Sequence, residues 1–232
     1  MAVDDSYTKA LLHMDGANAS TTFTDESGKT WTSVGDAQLV TGTYKFGTAC
    51  LFLDGTGDKI TTPDSDDFTV GSGNFTVDFW MRRYATGISQ RIYGQADSAG
   101  NTSSISFYGA LTATQQVGFY ILTGSTYVGY NTTATISDDG WHHIAQVRNG
   151  NTMLQFIDGV GSGSYDCTGV TANNSSNLFA IGERGEQTTN HFNGCIDEFR
   201  FSKGIARWTS DFTPPTAPYP LMSNISPPMW FM

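Results

Sequence analysis

Apolar and polar residues alternate along most of this chain, and the alternation breaks at glycine, asparagine and aspartate. A period of two puts successive side chains on opposite faces of an extended backbone, so the pattern predicts short β-strands divided by turns. Strands are expected near residues 8–14, 37–40, 48–53, 58–62, 75–82, 89–95, 104–109, 116–122, 126–130, 142–148, 153–158, 178–182 and 195–201. Phe75, Val77 and Phe79 share one face of their strand, and Asp78, Trp80 and Arg82 share the other. Large residues on both faces suit a central strand in a sandwich whose outer side is also partly covered. Two stretches read as hairpins: the glycine-rich run from Leu53 to Ile60, and Asn149-Gly150 between two apolar runs. No 3.6-residue pattern of helical length survives the glycines; only Ile205 to Asp211 has room for a turn or two.

So many strands must close into a barrel or stack as two sheets. The expected fold is all-β, a two-sheet antiparallel β-sandwich of the jelly-roll kind. It should occupy residues 1–213. The composition changes after Arg207: prolines 214, 215, 218 and 220 cannot continue a ladder, so 214–232 reads as an extended segment ending in an apolar tail. Pro227, Pro228, Met229, Trp230 and Phe231 lie in a terminal stretch without a charged side chain and are expected to dock on a partner.

Composition narrows the partners. The 232 residues are 38% hydrophobic and 15% charged, with 15 Phe, 10 Tyr, 5 Trp and 26 Gly, which is enough to bury a core and punctuate many turns. Chain length allows roughly 70% of the surface to be buried. Twelve Lys and Arg against 22 Asp and Glu leave a charge of −10, which repels nucleic acid and anionic membranes. No apolar run reaches the roughly 20 residues of a membrane helix, and the first residues lack the pattern of a signal peptide. Synthesis in a cytoplasm is therefore expected. Seven Asn-x-Ser/Thr triplets then reflect composition rather than glycosylation. Three cysteines make no framework; Cys50 reads as a small buried hydrophobe, and Cys167 and Cys195 are candidates to pair if the protein matures outside the cell.

Three stretches together resemble the laminin-G-like, concanavalin A-like lectin/glucanase superfamily. The first runs from Phe46-Gly47-Thr48 through Leu53-Asp54-Gly55 to Phe75-Thr76-Val77-Asp78-Phe79-Trp80. The second is Gly140-Trp141-His142-His143-Ile144, followed by Phe156-Ile157-Asp158-Gly159, and the third is Phe192-Asn193-Gly194-Cys195-Ile196-Asp197-Glu198-Phe199-Arg200. The opening Ala10-Leu11-Leu12-His13-Met14-Asp15-Gly16 is similar to the start of such domains in structural proteins of tailed bacteriophages. Their ending is similar to Phe201-Ser202-Lys203-Gly204-Ile205-Ala206-Arg207-Trp208 with Phe212-Thr213-Pro214-Pro215. The resemblance implies a concanavalin A-like jelly roll and places the chain in a virion.

The β-glucanases of that superfamily need two carboxyls about 5–5.5 Å apart. Here Asp78 stands alone on the corresponding strand, and the four glutamates (Glu26, Glu183, Glu186, Glu198) supply no such pair, so no enzyme is expected. His142 and His143, adjacent on a strand, face opposite ways and cannot chelate together; each reads as a hydrogen-bonded or core histidine, and His13 and His191 have no partner nearby in sequence. The family's frequent calcium site falls on Asp15 and Asp197, with backbone oxygens near Gly47 to complete it. Sugar binding needs exposed aromatic platforms beside polar groups. Tyr84, Arg91, Tyr93, Tyr127 and Tyr130, which flank glycine-containing loops, are the candidates, set against their being ordinary strand aromatics.

The leading expectation is a non-enzymatic structural protein of a phage virion: a head decoration, or a lectin-like module of the tail or fibre, with weak glycan binding. It would hold other virion proteins, or further copies of itself, through its C-terminal tail. The alternative is an adhesin recognising host surface glycans; a polysaccharide hydrolase is the third reading.

Overall fold

The computed structural model describes residues 6–96, 101–185 and 189–220. Among them the chain forms fifteen strands: β1 (Thr8–Leu12), β2 (Thr32–Val34), β3 (Gln38–Val40), β4 (Cys50–Asp54), β5 (Lys59–Thr62), β6 (Phe75–Arg83), β7 (Gln90–Gln95), β8 (Phe107–Leu111), β9 (Gln116–Thr123), β10 (Thr126–Thr135), β11 (His142–Asn149), β12 (Thr152–Ile157), β13 (Val160–Asp166), β14 (Phe179–Ile181) and β15 (Asn193–Lys203). They stack as two antiparallel sheets, the jelly-roll sandwich that the alternation predicts. The larger sheet runs β13-β12-β11-β6-β15-β4-β3, with β1 also paired to β15; the smaller runs β10-β9-β8-β7-β14-β5-β2.

One turn differs from its reading as a hairpin. β4 and β5 belong to different sheets, so the glycine-rich run between them carries the chain across the sandwich. The buried Asp58 carboxylate holds that crossover, accepting Asp36 N–H at 2.6 Å and Asp54 N–H at 3.0 Å. The Asn149-Gly150 turn is a hairpin, with Gly150 at φ +59° between β11 and β12. Residues 205–211 form no helix; the short helical turns lie at Asp66–Phe68 and Thr102–Ser104.

Inward residues of both sheets meet in one core. Phe75, Val77 and Phe79 of β6 are buried there, as the alternation requires. The aromatic rings interlock across the sheets: Phe68 stacks on Phe179 at 4.5 Å, Phe75 meets Phe107 at 4.9 Å, and Phe107 stacks on Phe201 at 5.6 Å. Such offset and edge contacts are favourable beyond the area they bury. Arg148 is also fully buried, its guanidinium donating to the carbonyls of Gly71, Gly150 and Val170.

The outer face of the larger sheet is covered by the chain that follows β15. Trp208 and Phe212 stack at 4.2 Å and pack with Ala145, Val147 and Phe156 on that face. The proline-rich run continues to Tyr219, which is buried. Its ring lies 3.9 Å under the Arg200 guanidinium, its hydroxyl donates to Asp78, and its N–H donates to Glu198 at 2.9 Å. Residues 208–220 thus form a strap over β6, β11 and β15. This cover is why β6 is apolar on one side and yet buried on both.

Candidate functional site

The outer face of the smaller sheet carries a tyrosine shelf. On β8, Phe107 points into the core and Tyr108 outward; on β9, Phe119 points in and Tyr120 out. Register pairs Tyr108 with Tyr120, and their rings stack at 4.9 Å. Tyr127 of β10, 45% exposed, meets Tyr108 edge-on at 6.3 Å. From the β7 side two guanidiniums approach the same Tyr108 ring, Arg184 at 4.7 Å and Arg91 at 5.1 Å. Burial pushes the Tyr108 hydroxyl up to about 12 against the pull of these two cations, so the ring stays neutral. Tyr120 donates to Asn131 at 2.5 Å, which fixes the shelf's other edge.

Beside the shelf, Arg91 N–H donates to Asn190 O at 2.6 Å and ties β7 to the 189–191 segment. A hollow of about 570 Å³ opens there, lined by Val34, Gly55, Thr56, Lys59, Asn190 and His191. Glu183 is buried behind it, one oxygen accepting Arg184 N–H at 2.7 Å and the other 3.3 Å from His191 Nδ1. Burial raises its carboxyl to about 7, opposed by the Arg184 N–H and by the charges of Lys59, Arg91 and Arg184.

Of the five sequence candidates for sugar contact, the structure brings Arg91 and Tyr127 together on this shelf. Tyr93 belongs to the core: it is fully buried, donates to Gln146, and meets Phe79 edge-on at 5.9 Å. A bulge between Arg91 and Tyr93 breaks the alternation that would have put both outside. Tyr84 lies on the larger sheet, its hydroxyl 3.4 Å from Cys195 Sγ. Tyr130 stacks on Tyr165 at 6.2 Å and donates to Gly163 O at 2.5 Å. Tyr108, Tyr120 and Arg184 escaped the sequence reading. The two Phe-Tyr pairs on adjacent strands, each with one ring inward and one outward, were the signal available.

Asp78 is fixed as structure. It is fully buried and ion-paired with Arg200 at 3.0 Å and 3.1 Å, with the Tyr219 hydroxyl as a third partner. Burial disfavours its charge, but Arg200 and His143 outweigh that and hold the carboxyl at about 2. Glu198 accepts from Tyr219 N–H and from His13 at 2.9 Å. Burial lowers the His13 pKa, and the bond and charge of Glu198 reverse the shift to a net rise. His142 lies between Asp158 and Asp138 at 2.7 Å and 3.1 Å, while His143 is buried against Trp80 and Trp208.

Asp15 and Asp197 flank the same loop, and both accept its amides. Asp197 takes the N–H of Lys45 at 2.7 Å and of Phe46 at 3.0 Å; Asp15 takes Thr48 N–H at 2.5 Å and its hydroxyl at 2.9 Å. Gly47, at φ +67°, has no side chain to obstruct the Asp15 carboxylate, against which a Cβ would collide. Burial raises the Asp197 carboxyl to about 7 despite those amide bonds. Calcium takes six to eight oxygens. Both carboxylates are engaged by amides of this loop, and no cluster of three acidic, His or Cys groups is found among the described residues. Through these bonds the two carboxylates hold the loop.

All three cysteines are free. Cys167 follows β13, four strand spacings from Cys195 on β15. That is about 19 Å, whereas a disulfide needs Cα atoms within about 7 Å, so they do not pair. The Cys195 thiol instead neighbours Cys50. The docking candidates Pro227, Pro228, Met229, Trp230 and Phe231, and also Glu186, lie outside the described residues.

A two-sheet antiparallel sandwich with a ring-and-guanidinium shelf on one outer face has the form of a lectin-like jelly roll. Residues 54–207 match the family model of the Concanavalin A-like lectin/glucanases superfamily, and the chain belongs to that superfamily. No curated protein matches the sequence. Among solved structures, the binding domain of Paraclostridial Mosquitocidal Protein 1 is similar, with TM-score 0.68 and 16% identity over 86% of this chain and 49% of that one. Domain 4 of AbnA, a GH43 extracellular arabinanase from Geobacillus stearothermophilus solved with arabinotriose, gives TM-score 0.65 and 19% identity over 86% of this chain and 94% of that one. A structure of botulinum neurotoxin type C, whose cell entry is dependent upon interaction with two ganglioside molecules, gives 0.63 and 16% over 86% and 48%. The chain spans about half the length of the two toxin structures. At these identities the likeness is one of fold.

Proposed function

We propose that this protein is a non-catalytic sugar-recognition module borne on a tailed-phage particle, with the tyrosine shelf as its binding face. The observation that carries this reading is the outward set Tyr108, Tyr120 and Tyr127 under two arginines, on a face that the chain's own strap does not cover. Sugars present C–H faces that pack on aromatic rings and hydroxyls that bond to nearby polar groups. The locking of Asp78 by Arg200 and Tyr219 argues against a hydrolase, because a carboxylate with that many partners is not free to move a proton. The fold likeness to an arabinanase domain solved with arabinotriose points the same way. A glycan array probed with the protein and with Tyr127→Ala tests the reading: hits that vanish in the variant support it, and hits indifferent to it place binding elsewhere.

Attachment to the particle is assigned to the C-terminal tail, on the strength of its sequence. Leu221, Met222, Ile225, Met229, Trp230, Phe231 and Met232 come without a charged neighbour, after a strap that delivers the chain to Pro220. Docking on virion proteins predicts that deleting 221–232 abolishes incorporation at an unchanged melting temperature. A variant that melts lower yet still incorporates would mean that the tail only completes the fold.

A further inference from the structure

Seven arginines are found in this chain, all among the described residues, and five are fully engaged. Arg82, Arg83, Arg148, Arg200 and Arg207 each donate to carbonyls, hydroxyls, amides or a carboxylate. Among the described residues the guanidiniums of Arg91 and Arg184 make neither a hydrogen bond nor an ion pair; both lie against the Tyr108 ring and act on the buried Glu183 only through space. Arg184 is 8% exposed, and its Nε is buried without a partner. A buried donor left unsatisfied is costly, more so when it is charged. Two like charges over one ring add repulsion, which the buried Glu183, with its carboxyl raised to about 7, offsets only in part. Both cations come from the β7 side, since Arg184 lies over Gly94 of that strand while Tyr120 covers Tyr108 from β9. They therefore converge on Tyr108, itself 4% exposed, beside the half-buried Tyr120 and the exposed Tyr127.

We infer that the shelf takes an acidic sugar, whose oxyanion is held by Arg91 and Arg184 while its ring lies against the neighbouring tyrosines. This deepens the sugar-binding reading and rests on it. Guanidinium groups suit the task because their planar fork matches the oxygens of a carboxylate or of a sulfate or phosphate ester. An anion between the two would relieve their repulsion and satisfy the buried Nε.

The probes are 3′-sialyllactose and a glucuronate disaccharide for carboxylate, galactose 6-sulfate for ester, lactose as the neutral sugar, and sodium sulfate as the free anion. Calorimetric titration should show at least one acidic sugar binding at least about tenfold more tightly than lactose, weakening as salt rises. Arg91→Gln should remove that margin, and Arg184→Lys should reduce it while leaving the melting temperature near wild type, which separates lost contact from lost folding. Preference for the carboxylate or the ester probe identifies which oxyanion is used. Lactose binding as tightly as the acidic sugars, unaffected by Arg91→Gln, overturns the inference and leaves sugar recognition standing. Sulfate alone matching the sugars also overturns it, since the site would then be a plain anion site. No binding by any probe, together with an empty array, removes both readings.

Discussion

The two outer faces of the sandwich solve the same problem in opposite ways. Each carries arginines stacked on tyrosine, yet on the larger sheet Arg200 meets a carboxylate, and a strap ending in Tyr219 closes over the pair. On the smaller sheet Arg91 and Arg184 lie against the Tyr108 ring with no bonded carboxylate among the described residues, and Glu183, which acts on them through space, is buried and raised to about 7. A charge with its counter-ion, covered, holds structure together. A charge stacked on a ring without a bonded carboxylate is the feature on which the acidic-sugar proposal rests. The difference can be broken or sharpened by mutation.

The largest effect is expected from Asp78→Ala, which takes from the buried Arg200 the carboxylate it pairs with. Removing one partner of a buried pair destabilises by about 3–5 kcal/mol, measurable by urea unfolding. A loss under about 1 kcal/mol would show the larger sheet's outer face to be as open as the smaller one's. Next, Tyr219→Ala removes a buried ring and a hydrogen bond and should destabilise by about 2–4 kcal/mol, with near-ultraviolet dichroism reporting whether Trp208 loses its place.

The pH dependences should oppose each other. Asp78 has its folded-state value lowered to about 2, so its contribution is present above the unfolded value of 3.8 and fades as pH falls through 2. Glu183 has its value raised from 4.5 to about 7, so folding stability declines as pH climbs between those values. Glu183→Gln should therefore match wild type at pH 4 and exceed it by about 1–3 kcal/mol at pH 8. A constant gap across that range would mean that Glu183 does not titrate there. The smallest effect on stability belongs to Tyr127→Ala, under about 0.5 kcal/mol for an exposed side chain, combined with loss of sugar binding. A stability loss several times larger would make Tyr127 part of the fold rather than of the shelf.

The fold was readable in the sequence because period-two alternation is what a sandwich demands of each strand. It failed where composition hides the pattern: β13 is Val-Gly-Ser-Gly-Ser-Tyr-Asp on a sheet edge, and β2 is three residues long. The Leu53–Ile60 run was misread because turn residues show where the chain bends and not which sheet receives it. Tyr93 was misplaced by one bulge, which no local pattern announces. Arg91 and Tyr127 were legible as strand residues beside loops. Arg184 was not, because its meaning depends on a ring far away in the chain.

The placement of β15 bears on how the protein is made. This strand is synthesised after the other fourteen, yet it sits between β6 and β4 and also carries β1. Translation proceeds at about 5–20 residues per second, so β4 and β6 wait on the order of ten seconds for their shared neighbour. Throughout that interval both present unpaired edges flanked by Leu51, Leu53, Phe75 and Phe79, the kind of surface that recruits other chains. Burial of the Asp78 charge is later still, since its cover arrives with Tyr219. A nascent chain arrested before Asn193 is therefore not a smaller version of this domain but an aggregation hazard, and its yield in a cell should follow chaperone supply more closely than that of the finished protein.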